Sequence, residues 1–207
     1  MQTDPKTAFL DPLVERNPVI YQILGICPAL AISTAMENAF AMGLATAAVL
    51  TISNLSVSLI RNLVPDNVRI IIYLVIVASL VIVADQILRT YFPHLSSQLS
   101  VYVGLIITNC IVLGRAEAFA SRNRPWVSTL DGMGNGLGYA LVLCVVAFVR
   151  ELLGAGQLLG HQVLPTTDNG GWFETVGLLA APAGAFFVVM VLVWILRAWK
   201  TEQVEEA

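Results

Sequence analysis

Charge is scarce in this sequence. Its 207 residues hold 11 Lys and Arg and 14 Asp and Glu, 12% together, where soluble domains run near 25%. Hydrophobic residues reach 57% and the mean hydropathy is +0.78. A soluble fold of this size could not hide so much apolar surface, so the composition excludes an ordinary soluble domain and points to an integral membrane protein. The net charge of −3 argues against an electrostatic nucleic-acid binder. No secretory signal is expected either. Asp4, Pro5, Lys6, Asp11, Glu15 and Arg16 interrupt the stretch before Pro18, which has no apolar core. Cysteine is sparse: three residues, all in apolar segments, and no sign of a disulfide framework.

What is present is a series of apolar runs. A membrane helix needs about 20 apolar residues to cross roughly 30 Å of hydrocarbon. Six runs qualify, over about 19–34, 39–60, 68–88, 99–113 (or onward to 119), 132–149 and 176–196. The expected layout is a cytoplasmic arm over 1–18, a six-helix membrane domain over 19–197 and a cytoplasmic tail over 198–207. Gly and Pro over 154–175, with Asn169-Gly170-Gly171, read as an outer loop. Lys and Arg set the orientation. With the N-terminus inside, only Arg89 and Arg150 fall outside, so both termini are expected in the cytoplasm. Placing Arg61 on Arg150 also places Gly43 on Gly132, and puts Cys27 and Cys110 at similar places in the first helix of each half. Three helices per half require opposite orientations. The expected fold is therefore all-α, with six transmembrane helices in two inverted three-helix repeats.

Two interruptions stand out. Gly25-Ile26-Cys27-Pro28 breaks the first run and Thr108-Asn109-Cys110 breaks the fourth. Cys27 lies about nine residues from Val19, or about 14 Å of helix, and Cys110 about twelve from Leu99, or about 18 Å. Both depths fall near mid-membrane, and the two helices enter from opposite sides. Pro28 lacks a backbone donor and disfavours a helical residue before it, which predicts a break at Cys27. Thr108 and Asn109 place polar groups where lipid would penalise them. The first and fourth helices are thus expected to be broken near mid-membrane, exposing backbone amides that can hold an anionic group.

Two readings of the cysteines stand on these residues alone. Free Cys is a common small hydrophobe in buried positions. As ligands, two thiolates supply half of the four an iron–sulfur cluster takes, so a second chain would complete it. Neither His94 nor His161 reaches mid-membrane depth, which disfavours zinc. Cys144, inside Leu141–Val146, reads as a packing residue. Arg115 and Glu117 read as charges at the inner end of the fourth helix. Asp85 and Arg89 are spaced to pair on one helix face. Asn54 and Ser56 could hydrogen-bond between helices. No acidic residue reads as lying at mid-depth, so neither a proton relay nor a complete cation site is expected.

The block Leu105-Ile106-Ile107-Thr108-Asn109-Cys110-Ile111-Val112-Leu113-Gly114-Arg115-Ala116-Glu117-Ala118-Phe119-Ala120 resembles a known family. It is similar to the D-type subunits of bacterial sodium-translocating NADH:quinone reductases, and to the related E-type subunit of the Rnf electron-transport complex. Ser56–Asn62, Asp131–Tyr139 and Arg150–Gly154 carry the same likeness, which covers nearly the whole chain. Asn169-Gly170-Gly171-Trp172 favours the sodium-pump branch. The resemblance implies a six-helix protein of the inner membrane that pairs with a homologous E-type subunit. Two cysteines from each then hold a 2Fe–2S cluster, and Cys27 and Cys110 occupy the matching positions. It further implies flavin-bearing B-type and C-type subunits, an NADH-oxidising F-type subunit and an A-type subunit, with FAD, FMN, riboflavin, NADH and quinone bound only on those other chains. This chain has no Gly-rich dinucleotide fingerprint, which agrees with that division of labour. Pro28, Thr108 and Asn109 are expected to shape the cluster's surroundings. An Rnf-type subunit, a small inverted-repeat transporter and a purely structural membrane subunit are the alternatives.

Overall fold

The computed structural model describes residues 9–10, 12, 17–91, 103–158, 161–162 and 181–199. The arm before Asn17 is therefore described only in part. The start of the fourth run, His94, most of the loop over 154–175 with Trp172, and the tail over 200–207 lie outside the described residues, as does the Arg89 side chain of the expected Asp85–Arg89 pair.

The described residues are almost all helical. We label the α-helices α1 (Ile26–Ile32), α2 (Met36–Ile60), α3 (Arg69–Tyr91), α4 (Val103–Ile107), α5 (Cys110–Arg115), α6 (Pro125–Arg150) and α7 (Pro182–Trp199). Two π-helical turns, Ala116–Ala120 and Glu151–Ala155, extend α5 and α6. An antiparallel pair of two-residue strands, Gln157–Leu158 and His161–Gln162, follows the second. Among the described residues, three stretches are long and apolar enough to cross a bilayer: Met36–Ile60, Arg69–Ile87 and Pro125–Gly154. Ala183–Ala198 is a shorter apolar helix.

The element boundaries have local causes. Pro65 is extended at φ −70° and ψ 144°, so α2 ends in a turn and α3 restarts through a 3₁₀ turn. Pro125 opens α6, where its missing N–H is harmless. Gly156, left-handed at φ 66°, terminates the π-turn after α6, as glycine does at helix ends. The first apolar run behaves differently from its expectation. Its helix begins only at Ile26, because residues 17–24 form turns: Tyr21 N donates to Asn17 O at 2.9 Å and Leu24 N to Pro18 O at 3.1 Å. The last described helix begins at Pro182; the expected start near 176 lies outside the described residues.

The chain forms two compact units, Met1–Pro28 with Ala41–Leu141, and Ala29–Phe40 with Val142–Ala207. In the first, α2 and α6 meet through small residues. A Cβ at Gly136 would lie 2.5 Å from the Ala47 Cα, one at Gly132 2.9 Å from the Thr51 Cα, and one at Gly43 2.7 Å from the Ala140 Cβ. Absent side chains let the backbones approach, the usual device where lipid removes any hydrophobic drive to associate. The other glycines of α6 face the arm: a Cβ at Gly134 would meet Phe9 O at 2.6 Å and one at Gly138 Pro12 O at 2.7 Å. Asn17 Nδ2 donates to Gly138 O at 3.0 Å. At least this part of the arm is thus packed onto a helix rather than loose. Val57, Tyr73, Ala116 and Ala120 form a buried cluster joining α2, α3 and the first π-turn. Arg61, just past the end of α2, and Ser58 both donate to Asn123 O, the latter at 2.6 Å.

In the second unit Arg150 is the organising side chain. It is only 2% exposed. Its guanidinium donates to Ser33 Oγ at 2.6 Å, Leu30 O at 3.4 Å and Ala181 O at 2.9 Å. It thereby joins the end of α1 to the start of α7. Glu151 Oε2 accepts from Met36 N at 2.7 Å and caps the first turn of α2.

Candidate metal-ligating site

The first apolar run breaks at Gly25, two residues before Cys27. Gly25 is left-handed at φ 82°, a conformation glycine adopts without penalty. Ile23 also has a positive φ, 56°, which is strained for a β-branched residue. The helix that restarts at Ile26 carries Cys27 as its second residue and Pro28 as its third. Proline is tolerated there, since first-turn N–H groups have no intrahelical acceptor. The fourth run breaks between Ile107 and Cys110. Asn109 turns extended at φ −68° and ψ 118°, and its Oδ1 accepts from Ile111 N at 3.1 Å. This is N-cap chemistry, and it makes Cys110 the first residue of α5. Thr108 is exposed, and its hydroxyl returns to Gly104 O at 3.0 Å.

The two breaks meet. Gly25 N donates to Cys110 Sγ at 2.9 Å, across 85 residues of sequence. The backbone just ahead of Cys27 is thus bonded to the other thiol. Tyr139 of α6, fully buried, closes the back of the site. Its hydroxyl lies 3.4 Å from Gly25 O. It lies close to the Asn109 side chain and to both Cys27 and Cys110. Cys27 is exposed and Cys110 half-buried. Pro28 and Asn109 are buried.

This donor set suits a shared cluster. The backbone two residues before Cys27 is bonded to the Cys110 sulfur, and no group of three or more Cys, His, Asp or Glu able to hold a metal occurs among the described residues. A metal centre here would need outside ligands, and the exposed Cys27 faces away from this chain's core. Asn109 Nδ2 is a buried donor with no protein partner, beside the thiol it precedes. Cys144 sits half-buried in the middle of α6. It belongs to the second unit and takes no part in the geometry around Gly25.

Sequence reasoning did not foresee the burial of Arg150 and Glu151, described above, or of Asp131. Asp131 is 1% exposed. It forms an ion pair with Arg115, whose Nε is 3.1 Å from Asp131 Oδ2. Asn135 Nδ2 donates to Asp131 Oδ1 at 2.9 Å, and Asn54 Nδ2 to Oδ2 at 3.4 Å. The clue was available in Asp131 and Asn135, one helical turn apart inside an apolar segment. Asn54 does bond between helices as expected, whereas Ser56 donates to Ile52 O of its own helix at 2.8 Å. Glu117 pairs with Arg69 on α3. The pair is about three-tenths exposed, so its stabilisation is at most about 1 kcal/mol.

A family model described as "Rnf-Nqr subunit, membrane protein" matches residues 6–193. The chain belongs to the Rnf-Nqr family of membrane subunits. It is 54% identical over 205 residues, 99% of each chain, to a protein of Haemophilus influenzae strain PittGG named as the D subunit of Na(+)-translocating NADH-quinone reductase. The same figures hold for the protein of that name from strain 86-028NP. Family membership thus spans both the thiol pair and the Arg115–Asp131 pair, and includes the arm residues that pack on α6.

Proposed function

We propose that this chain is the D-type subunit of a sodium-translocating NADH:quinone reductase, and that Cys27 and Cys110 supply two of the four ligands of a 2Fe–2S cluster within the membrane. A homologous six-helix E-type subunit supplies the other two. The observation that carries the reading is the Gly25 N–H on the Cys110 sulfur, which joins two cysteine-bearing helix starts that lie far apart in sequence. When bound, the cluster supplies one-electron transfer between the NADH-oxidising F-type subunit and the flavins of the B-type and C-type subunits, with the A-type subunit completing the complex. This chain's own part is to hold two thiolates in one place and to surround them with amides. Asn109 orients the start of α5, Pro28 shapes that of α1, and Thr108 ends α4 by bonding its own helix. NADH, quinone, FAD, FMN and riboflavin bind elsewhere in the complex.

The proposed frame is six transmembrane helices in two inverted repeats, with both termini on the cytoplasmic side of the bacterial inner membrane. Contacts between α2 and α6 support the repeat. The displacement that carries Gly43 to Gly132 and Arg61 to Arg150 also carries Thr51 to Ala140 and Ala47 to Gly136. Under it the Gly43–Ala140 contact becomes Gly132–Thr51, and the Ala47–Gly136 contact maps onto itself. A two-fold relation passing between Ala47 and Gly136 would produce that exchange. The arginines follow it, since Arg61 reaches the turn after α5 and Arg150 the end of α1. Reporter fusions test the orientation: activity at residue 207 should be cytoplasmic and an insertion within 163–175 should report outside.

The ligand assignment is tested by co-expressing the chain with its six-helix partner and measuring iron, sulfide and the electron paramagnetic resonance of the reduced complex. Cys27→Ala and Cys110→Ala should each abolish the cluster signal, while Cys144→Ala should keep it. An intact signal in both single variants would refute the assignment. The high identity to the Haemophilus D subunits over the full chain favours the sodium-pump reading over an Rnf-type subunit. A transporter acting alone would move substrate when reconstituted without partners.

A further inference from the structure

The Gly25 peptide is held from both sides, and the holding is specific. On one side its N–H points at Cys110 Sγ, 2.9 Å away. On the other its carbonyl faces the Tyr139 hydroxyl at 3.4 Å. A Cβ at Gly25 would strike Ile111 Cδ1 at 2.6 Å and Tyr139 Cε2 at 2.8 Å. The peptide is thus wedged between the residue that follows Cys110 and the ring of Tyr139. Its left-handed φ of 82° fixes the direction in which the N–H points.

We propose that Tyr139 is a positioning residue for the redox centre: it seats the Gly25 peptide so that the Gly25 amide donates to the Cys110 sulfur, and through that bond it raises the reduction potential. The inference rests on the cluster reading above. Reduction adds negative charge to the centre, part of which resides on the ligating sulfurs. An N–H donor aimed at one of them stabilises the reduced form more than the oxidised form, so hydrogen bonds to sulfur are a main control on potential. The effect is strong in a site of low dielectric, where hydrogen bonds are less screened. Tyr139 suits the role by its reach. A single phenol lies beside the Asn109 side chain at one helix start and donates to the Gly25 carbonyl at the other. It therefore couples the placement of the two thiols without ligating anything itself.

The test uses the assembled complex, with redox titration followed by electron paramagnetic resonance. Tyr139→Phe keeps the ring against Gly25 and removes the hydroxyl. Tyr73→Phe, a buried tyrosine in the α2–α3 cluster, is the control. The expected result for Tyr139→Phe is full iron content and a lowered midpoint potential. A tenfold loss in the reduced-to-oxidised ratio corresponds to about 59 mV for one electron. The control should leave the potential unchanged. A second measurement does not depend on any variant folding. In wild-type complex labelled with ¹⁵N-glycine, hyperfine spectroscopy of the reduced centre should detect one coupled backbone nitrogen. An unchanged potential in a fully loaded Tyr139→Phe complex, or no coupled glycine nitrogen in the wild type, would overturn the proposal. Failure of the parent reading looks different: Cys27→Ser and Cys110→Ser would then leave the signal intact.

Discussion

Asp131 is a buried carboxylate that Arg115 and two asparagine amides neutralise and solvate. Removing one partner of such a pair costs more than the pair itself contributes, because the remaining charge is stranded. Arg115→Met should therefore destabilise the protein by about 3 kcal/mol. The double variant Arg115→Met with Asp131→Asn should regain part of that loss. Thermal unfolding of the four members of this cycle, in detergent and with partner present, measures the coupling. Additive effects would show that the pair contributes nothing beyond its separate residues. Asn109 offers a milder case. Its Oδ1 caps α5, so Asn109→Ala should cost about 1 kcal/mol. Because the capped helix begins at Cys110, the same variant should also lower iron occupancy in the assembled complex.

At the scale of elements, glycine placement on α6 decides what packs on it. Gly132 and Gly136 meet α2, while Gly134 and Gly138 meet the arm. A bulky side chain at Gly136 cannot be accommodated by a flexible neighbour, since the obstacle is the Ala47 Cα. Gly136→Leu should destabilise by about 1–3 kcal/mol, the usual cost of overpacking. If the two-fold relation holds, a large residue at Gly43 should do comparable damage, because Gly43 and Gly132 make exchanged contacts. Melting temperatures of Gly43→Leu and Gly132→Leu compare the two halves directly. The glycine alternation along α6 was visible in the sequence as Gly132, Gly134, Gly136 and Gly138. Which pair faced which neighbour was not, because helical spacing assigns faces and leaves the partner unspecified.

At the scale of the whole molecule, the surface is strongly apolar. On α3, Ile70, Ile71, Val75, Ile82, Val83 and Ile87 are exposed, and on α7 Phe186, Phe187, Met190, Val191 and Trp194. Such surfaces suit lipid or partner helices and make the free chain aggregation-prone in water. The proposed metal site is incomplete at the same scale, with two thiols from this chain and an exposed Cys27. The chain purified alone in detergent should contain less iron than the same chain purified with its six-helix partner. Equal iron in both would mean that the ligands are found within this chain.

Membrane residence, the apolar runs and the two interruptions at Cys27 and Cys110 were all legible in the sequence alone. The bilayer imposes about 20 contiguous apolar residues per span, and proline, glycine and asparagine act on the backbone within a few residues. The tertiary structure decided the rest. It moved the first break to Gly25, shortened α1 and laid part of the arm on α6. It buried Arg150 against the ends of two helices, paired Asp131 with Arg115, and set the Gly25 amide on the Cys110 sulfur with Tyr139 behind it. Each of these joins groups far apart in the chain, and such a contact depends on where helices cross and how closely small residues let them approach. Local rules of propensity and hydropathy carry no information about that meeting point; only the packed helices do.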